Sequence, residues 1–350
     1  MGGELLVGKR TRLSGAVRAV LFVLAGVLLV GCSTLPQTPL DPKGPVAQAQ
    51  TGLLLYTLYI AMGIGVGVTA ALLYVIFRFR ARPGQAGVPR QIRGNHTLEI
   101  VWTIIPILIL VSVAFPTVEA AIATSTPPSG ALTVRAIGYR WWFAFEYPEL
   151  GIVTANELRI PTGQPIRLEI TSNDVIHSFW VPKLAGKTDM IPGRVNVAWM
   201  QADEPAVYVG QCAEFCGDSH ANMRFRVTAM PQDEFDAWVK QRQAMNQGPG
   251  QLSQVAARGR ELFESPAPGG NCLSCHTVDG TSAQGKVGPN LTDVGQRSTI
   301  AAGILKNDYE SLKAWVKNPA DFKPGTTMPS HARLSEKDLD AIVQYLQSLK

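Results

Sequence analysis

Histidine is scarce in this chain: five in 350 residues, at positions 96, 177, 220, 276 and 331. So few imidazoles exclude a large His-rich metal cluster. Cysteine is equally scarce, at five. Acidic and basic side chains make up only 17% of the residues, and where they are missing matters more than their total. Residues 1–50 carry five basic and two acidic side chains, and 51–129 carry the same numbers. Residues 130–250 carry eleven basic against thirteen acidic, and 251–350 eleven against ten. The net charge of +5 therefore sits beside apolar segments near the N-terminus. The remainder lacks the basic stripe that a phosphate backbone requires, which excludes nucleic acid as a partner.

What the first 125 residues do contain is long apolar sequence. Lys9, Arg10, Arg12 and Arg18 precede an apolar run from Ala19 to Val30, which ends in Leu29-Val30-Gly31-Cys32. That run is short for a span, which needs roughly 20 residues, but it suits a secretory h-region. Small residues followed by Cys resemble a lipoprotein signal over 1–31, with Cys32 lipidated as the mature N-terminus; an ordinary signal or a short anchor is the plainer alternative. After an outer segment, 32–50, a transmembrane hairpin is expected over 51–124, with spans at about 52–77 and 100–123. Arg78, Arg80, Arg82, Arg90 and Arg93 lie between them with no acid before Glu99. The positive-inside rule makes that loop cytoplasmic and puts everything after residue 125 outside.

From Ala131 the pattern changes to short strands. Leu132–Ile137 and Pro165–Ile170 alternate apolar and polar residues, and Val195–Met200, Ala206–Gly210 and Arg224–Ala229 read likewise. Six or more strands in so short a stretch indicate a β-sandwich or barrel over 130–243, closed by a helix at Asp233–Arg242. A Gln/Gly/Pro/Ser-containing linker (244–254) leads to a small α-domain (255–350), with helices at Val255–Phe263, Tyr309–Lys317 and Glu336–Leu349.

Two clusters carry chemistry. In Gln211–Met223, Cys212, Cys216, His220 and Met223 combine thiolate, imidazole and thioether donors, a set that selects copper. A mononuclear blue-copper site uses one Cys and two His, so the second thiolate is informative: two thiolates on one loop can bridge two copper ions, each completed by an imidazole. His177 is the other histidine of the domain. Tetrahedral zinc on Cys212, Cys216, His220 and His177 is an alternative, as is a Cys212–Cys216 disulfide. The second cluster, Cys272-Leu273-Ser274-Cys275-His276, is C-x-x-C-H, the c-type haem attachment signal, in which two cysteines form thioethers and the His ligates iron. A thioredoxin-like C-x-x-C lacks its βαβ context here. Met328 is the one methionine after the motif and the candidate second axial ligand, with His331 its rival; Met/His ligation suits electron transfer.

The copper loop, Asp174–Phe179, Lys187–Arg194 and the aromatic run Tyr139–Tyr147 together resemble cytochrome c oxidase subunit II, from the first span to about Gln243. The resemblance implies an all-β cupredoxin-like domain with a dinuclear copper A centre. Its ligands would be Cys212, Cys216, His177, His220, Met223 and the Glu214 carbonyl, with the Glu214 side chain on a magnesium ion shared with subunit I. It also implies that electrons enter through Trp141, on the surface over the copper. The family's usual third aromatic in this run is Trp, whereas this chain has Phe143. Glu99, at the cytoplasmic end of the second span, would be the mouth of a proton pathway, although an acid there also reads as an ordinary interfacial residue. The tail resembles a class I cytochrome c, with Gly288–Leu291 packed against His276. A multidomain chain is expected, with a two-helix transmembrane hairpin, a cupredoxin-like domain and an all-α cytochrome c domain.

Such a chain would be the electron-transfer subunit of a proton-translocating haem–copper oxidase in the bacterial inner membrane, its metal domains on the outer face. It would receive electrons from cytochrome c or another respiratory donor. Its partners would be subunits I and III, and subunit I would reduce the oxygen. A nitrous oxide reductase relative would need a second copper cluster that five histidines cannot supply. A lone membrane-tethered shuttle would not need Glu99 or two spans. All five cysteines are then assigned: Cys32 to lipid, two to copper and two to haem.

Overall fold

The computed structural model describes residues 35–80, 84, 87, 91–265 and 271–350. The expected signal segment and Cys32 lie outside the described residues, as do Arg82 and Arg90 of the basic loop.

Helix α1 (Pro45–Phe79) opens with Pro at its first position, where a missing N–H costs nothing. Its first turn is bound to the β-domain. The Ala47 amide donates to the Leu184 carbonyl at 3.2 Å, and a Cβ on Gly44 would lie 1.9 Å from the Gln201 carbonyl oxygen. Helix α2 (His96–Ser125) is capped by Asn95, whose Oδ1 accepts from the Thr97 and Leu98 amides at 3.0 and 3.2 Å. Both helices exceed the expected spans at each end, because these caps and contacts lie outside the apolar stretch. Most of the Leu, Ile and Val side chains along their apolar stretches are exposed, and both are long and apolar enough to cross a membrane. At the outer end of α2 the Ala123 carbonyl accepts from the Trp199 indole at 3.3 Å, tying the helix to the β-domain.

That domain is a sandwich of ten strands. They are β1 (Leu132–Tyr139), β2 (Trp142–Tyr147), β3 (Ile152–Ala155), β4 (Glu157–Pro161), β5 (Ile166–Ser172), β6 (His177–Trp180), β7 (Thr188–Met190), β8 (Asn196–Met200), β9 (Ala206–Cys212) and β10 (Arg224–Met230). One sheet runs β3-β2-β1-β5-β8 and the other β4-β10-β9-β6-β7. Alternation buries Leu132, Val134 and Ala136 of β1, and Ile166, Leu168 and Ile170 of the parallel neighbour β5. Between the sheets the Phe225 ring sits 4.7 Å from both Phe143 and Phe179. Gly210 makes room for it, since a Cβ there would lie 2.3 Å from that ring. Helix α3 (Gln232–Ala244) closes one end, with Trp238 against Tyr147 at 5.5 Å.

In the C-terminal domain, helices α4 (Gln254–Glu264), α5 (Tyr309–Lys317) and α6 (Glu336–Ser348) are capped by Ser253, Asp308 and Ser335. α4 crosses α6 at Gly259, where a Cβ would lie 1.9 Å from the Ala341 carbonyl oxygen. One element escaped the helical expectation: a two-residue ladder pairing Thr299–Ile300 with Leu305–Lys306.

The two globular domains are joined by buried polar contacts. Glu157 Oε1 accepts from the amides and hydroxyls of Ser298 and Thr299, at 2.7 to 3.0 Å. Thr154 donates to Asp293 at 2.9 Å, and Asp293 is paired with Arg297 at 2.5 Å. Burial works to raise the Asp293 carboxyl, but the Arg297 and Arg242 cations outweigh it and hold it below the usual carboxylate range. Arg242, on α3 and fully buried, reaches the Val153 carbonyl at 2.9 Å and the Asp279 carboxylate at 2.8 Å. Removing Arg242 leaves the Val153 carbonyl and the Asp279 carboxylate without their donor, at a cost of about 1–3 kcal/mol. Arg242→Met should therefore bring the unfolding of the C-terminal domain to lower denaturant; an unchanged transition would show that the contact adds no stability.

Candidate copper and haem sites

The copper loop is the connection between β9 and β10. It is pinned at its base where the Cys212 amide donates to the Met223 carbonyl at 2.9 Å. Both ends of the loop thereby face one point, with Met223 fully buried and both thiols nearly so. The Cys212 and Cys216 sulfurs lie 3.8 Å apart. Each faces its own imidazole: Cys212 has His177 Nδ1 at 3.9 Å, and Cys216 has His220 Nδ1 at 3.5 Å. Met223 Sδ is 3.9 Å from Cys216, and the Glu214 carbonyl is 3.2 Å from Cys212. Among the described residues, donor atoms of His177, Cys212 and Cys216 all lie within 4.8 Å of one another, a set that does not include His220.

The electrostatics suit a cation. The Cys212 thiol is driven down to about 3, first by its hydrogen bond with Cys216, while burial opposes the shift and His177 and the Glu214 carbonyl add to it. Cys216 is pushed up, chiefly by the neighbouring Cys212. A cation between the two sulfurs would offset the charge that Cys212 carries.

His177 opens β6, and its ring is fully buried. Its Nε2 contacts Asp174 Oδ1 at 2.8 Å, which leaves Nδ1 facing the sulfur. Burial works to lower the His177 pKa, but Asp174 and Cys212 outweigh it and the net shift is upward. Gly138 gives the ring its space: a Cβ there would lie 2.7 Å from Cδ2. Asp174 and Gly138 were missed as site residues, although Asp174 lies in the segment that carries the resemblance.

Trp141 does lie over this loop, with its indole N–H donating to the Cys216 carbonyl at 3.0 Å. It is not on the surface, being only 7% exposed. The residues that cover it belong to the C-terminal domain, which the local aromatic pattern has no means of showing. Phe143 is fully buried sandwich core. The Glu214 side chain is half-exposed and 3.8 Å from Lys187. Glu99 sits in the first turn of α2, 3.4 Å from His96.

In the C-terminal domain Cys272–Ser274 form one 3-10 turn, and the His276 amide bonds to the Cys272 carbonyl at 2.9 Å. His276 Nδ1 lies 2.8 Å from the Pro289 carbonyl, so this nitrogen is the donor and Nε2 is left as the ligand atom. A Cβ on Gly288 would lie 2.6 Å from the ring. Burial lowers the His276 pKa and raises Cys272 to about 11. Met328 is half-buried.

Three family descriptions match in chain order: "Cytochrome C oxidase subunit II, transmembrane domain" at 40–120, "Cytochrome C oxidase subunit II, periplasmic domain" at 150–230 and "Cytochrome c" at 256–350. The cytochrome c oxidase subunit 2 of Alkalihalophilus pseudofirmus is 39% identical, over 89% of this chain and 91% of its own length. The chain belongs to the cytochrome c oxidase subunit 2 family. The subunit 2 of Bacillus sp. strain PS3 is 38% identical over 94% of this chain and 96% of its own. A quinol oxidase subunit 2 from Bacillus spizizenii is 37% identical but covers 65% of this chain and 71% of its own.

As a subunit 2, the chain is a membrane protein with a periplasmic domain, and it transfers electrons to subunit I of a haem–copper oxidase. Its periplasmic domain implies a copper A centre and its cytochrome c domain implies haem. The residues fit both groups. Soft sulfur donors with imidazoles suit copper, and His276, fixed at Nδ1 and cradled by Gly288, suits haem iron. Loss of an outer carboxylate on a ligating His costs about 10–100-fold in metal affinity. Asp174→Ala should weaken copper binding by that factor in a chelator competition while haem content stays constant; unchanged affinity would show that His177 needs no such clamp.

Proposed function

We propose that Cys212, Cys216, His177, His220, Met223 and the Glu214 carbonyl hold a dinuclear copper A centre. The observation that carries this reading is the thiol pair 3.8 Å apart with a separate imidazole facing each sulfur. A single tetrahedral zinc would draw all four donors around one point, whereas His220 falls outside the tight set. Cys272 and Cys275 would bind one haem c covalently, with His276 and Met328 axial. When bound, these groups supply reversible one-electron chemistry.

The chain's own residues order and insulate that chemistry. Asp174 and the Pro289 carbonyl fix the imidazole tautomers of His177 and His276. The Trp141 indole, bonded to the Cys216 carbonyl, is the residue through which electrons enter the copper domain. Electrons arrive from cytochrome c or another respiratory donor and leave for subunit I, where oxygen is reduced to water as protons are translocated. The half-exposed Glu214 carboxylate would meet a magnesium ion at the subunit I interface, and Glu99 would mark the mouth of a proton pathway. Subunit III completes the membrane partner, and the whole lies in the bacterial inner membrane as a two-span protein, anchored further by lipid on Cys32.

Metal analysis of the purified oxidase should give two coppers and one iron assignable to this chain, with copper A absorption in the near infrared; zinc in place of copper would overturn the assignment. Met223→Leu should shift that near-infrared band and leave the haem spectrum intact, and an unshifted band would remove Met223 from the ligand set. Trp141→Ala should slow haem-to-copper electron transfer with both metals retained. Wild-type transfer rates would refute the role of the indole.

A further inference from the structure

Lys323 is a buried amine that neither metal site uses. It stands in the loop that leads to Met328, and only 4% of the residue is exposed. Lysines are almost never buried so completely without a partner of opposite charge. Here the amine donates to the Trp141 carbonyl, and among the described residues no carboxylate pairs with it. Burial pulls its pKa down to about 7, with Cys216 working in the other direction.

Its neighbours in the chain fix where that amine sits. The Phe322 carbonyl accepts from the Asn222 side-chain amide at 3.3 Å, and the Pro324 carbonyl accepts from the Ser219 hydroxyl at 2.7 Å. Gly325, at φ +77°, lies against the indole: a Cβ there would be 2.8 Å from the Trp141 Cη2 and 2.9 Å from the exposed Asp218 carboxylate. Lys323 is therefore held between two residues that are each bonded to the loop carrying Cys216, His220 and Met223. Trp141 links the amine to the same loop, since its carbonyl accepts from Lys323 and its indole N–H donates to the Cys216 carbonyl at 3.0 Å. A hydrogen bond alone does not account for this choice of residue. A neutral amide could donate to the same carbonyl without the cost of taking an ammonium out of water. What lysine adds is a positive charge in a setting of low polarity, where its field is weakly screened.

We propose that Lys323 tunes the copper centre: its buried ammonium favours the reduced form, raises the reduction potential and so pulls the electron-transfer equilibrium toward copper. The proposal rests on the reading of Cys212, Cys216, His177, His220 and Met223 as a copper A site. An added electron makes that centre more negative by one charge, and a fixed cation beside it lowers the energy of the added charge. Lys323 itself is neither oxidised nor reduced, and no bond forms or breaks at it.

The test is a potentiometric titration of the purified oxidase that follows the near-infrared copper band. It is run at about pH 6, below the value that burial gives the amine. Lys323→Gln keeps a donor for the Trp141 carbonyl and removes the charge. It should shift the copper equilibrium about tenfold toward the oxidised form, a fall of about 59 mV for a one-electron couple. Lys323→Met should fall by as much, and it decides the matter if the Gln variant does not fold. Lys323→Arg keeps the charge and should hold the wild-type potential. An unchanged potential in the neutral variants, or an equal fall in Lys323→Arg, overturns the proposal. Glu157→Ala loosens the domain contact at a distance from Lys323 by removing the acceptor of four interdomain hydrogen bonds, and it should leave the potential unchanged. An equal fall there would make entry of water the cause and overturn the role of the charge. A wild-type oxidase without the near-infrared band removes the copper A reading and the proposal with it, whereas a normal band with an unshifted potential removes Lys323 alone.

Discussion

The hydrogen bond from the Cys212 amide to the Met223 carbonyl closes the loop on which the rest of this molecule converges. It continues the β9–β10 ladder by one pair and fixes where the intervening residues turn back. Because that closure is backbone to backbone, it holds two sulfur donors at one place without relying on a metal. Cys216 and His220 then project from inside the loop, and His177 arrives from the neighbouring strand β6. The surrounding polar groups place a protonatable thiol pair where a cation would sit, and Asp174 and Gly138 hold His177 to it from behind.

The same loop is the floor of the domain interface. Its outer face, at Cys216–Ser219 and Asn222, meets Trp141 and the segment that leads to Met328. The proposed copper ligands and the proposed haem ligand are therefore linked through one short stack of backbone and indole. Buried charge elsewhere in the interface fixes relative orientation, because an unmatched Asp293 or Arg242 in that setting would be costly. On the membrane side, the first turn of α1 and the end of α2 are both bonded to the sandwich. The copper domain is thus anchored from below and capped from the side.

Much of this was legible in the residues. Strand alternation gave β1, β5, β8, β9 and β10 to within a few residues, and helices α3 to α6 were found at nearly their observed bounds, since both patterns are set by local burial. Where the reading fell short, contacts distant in sequence were responsible. Helix α1 starts well before its apolar stretch because Gly44–Ala47 are held by Leu184 and Gln201. The Thr299–Ile300 ladder was invisible because two residues carry no period.

The sequence by itself determined which chemistry is open to this protein. Two thiols, two imidazoles and a thioether on short loops make a soft-metal set by residue type and spacing, C-x-x-C-H is the haem attachment signal, and hydropathy alone locates the apolar stretches. Only the tertiary structure decided what surrounds those groups. Trp141 is buried rather than exposed because residues 322–325, far along the chain, fold back onto it. Glu157 and Arg242 look like ordinary sandwich and helix residues until Ser298, Thr299 and Asp279 meet them. Local pattern reports which face of an element is apolar; it holds no record of which distant surface will cover it.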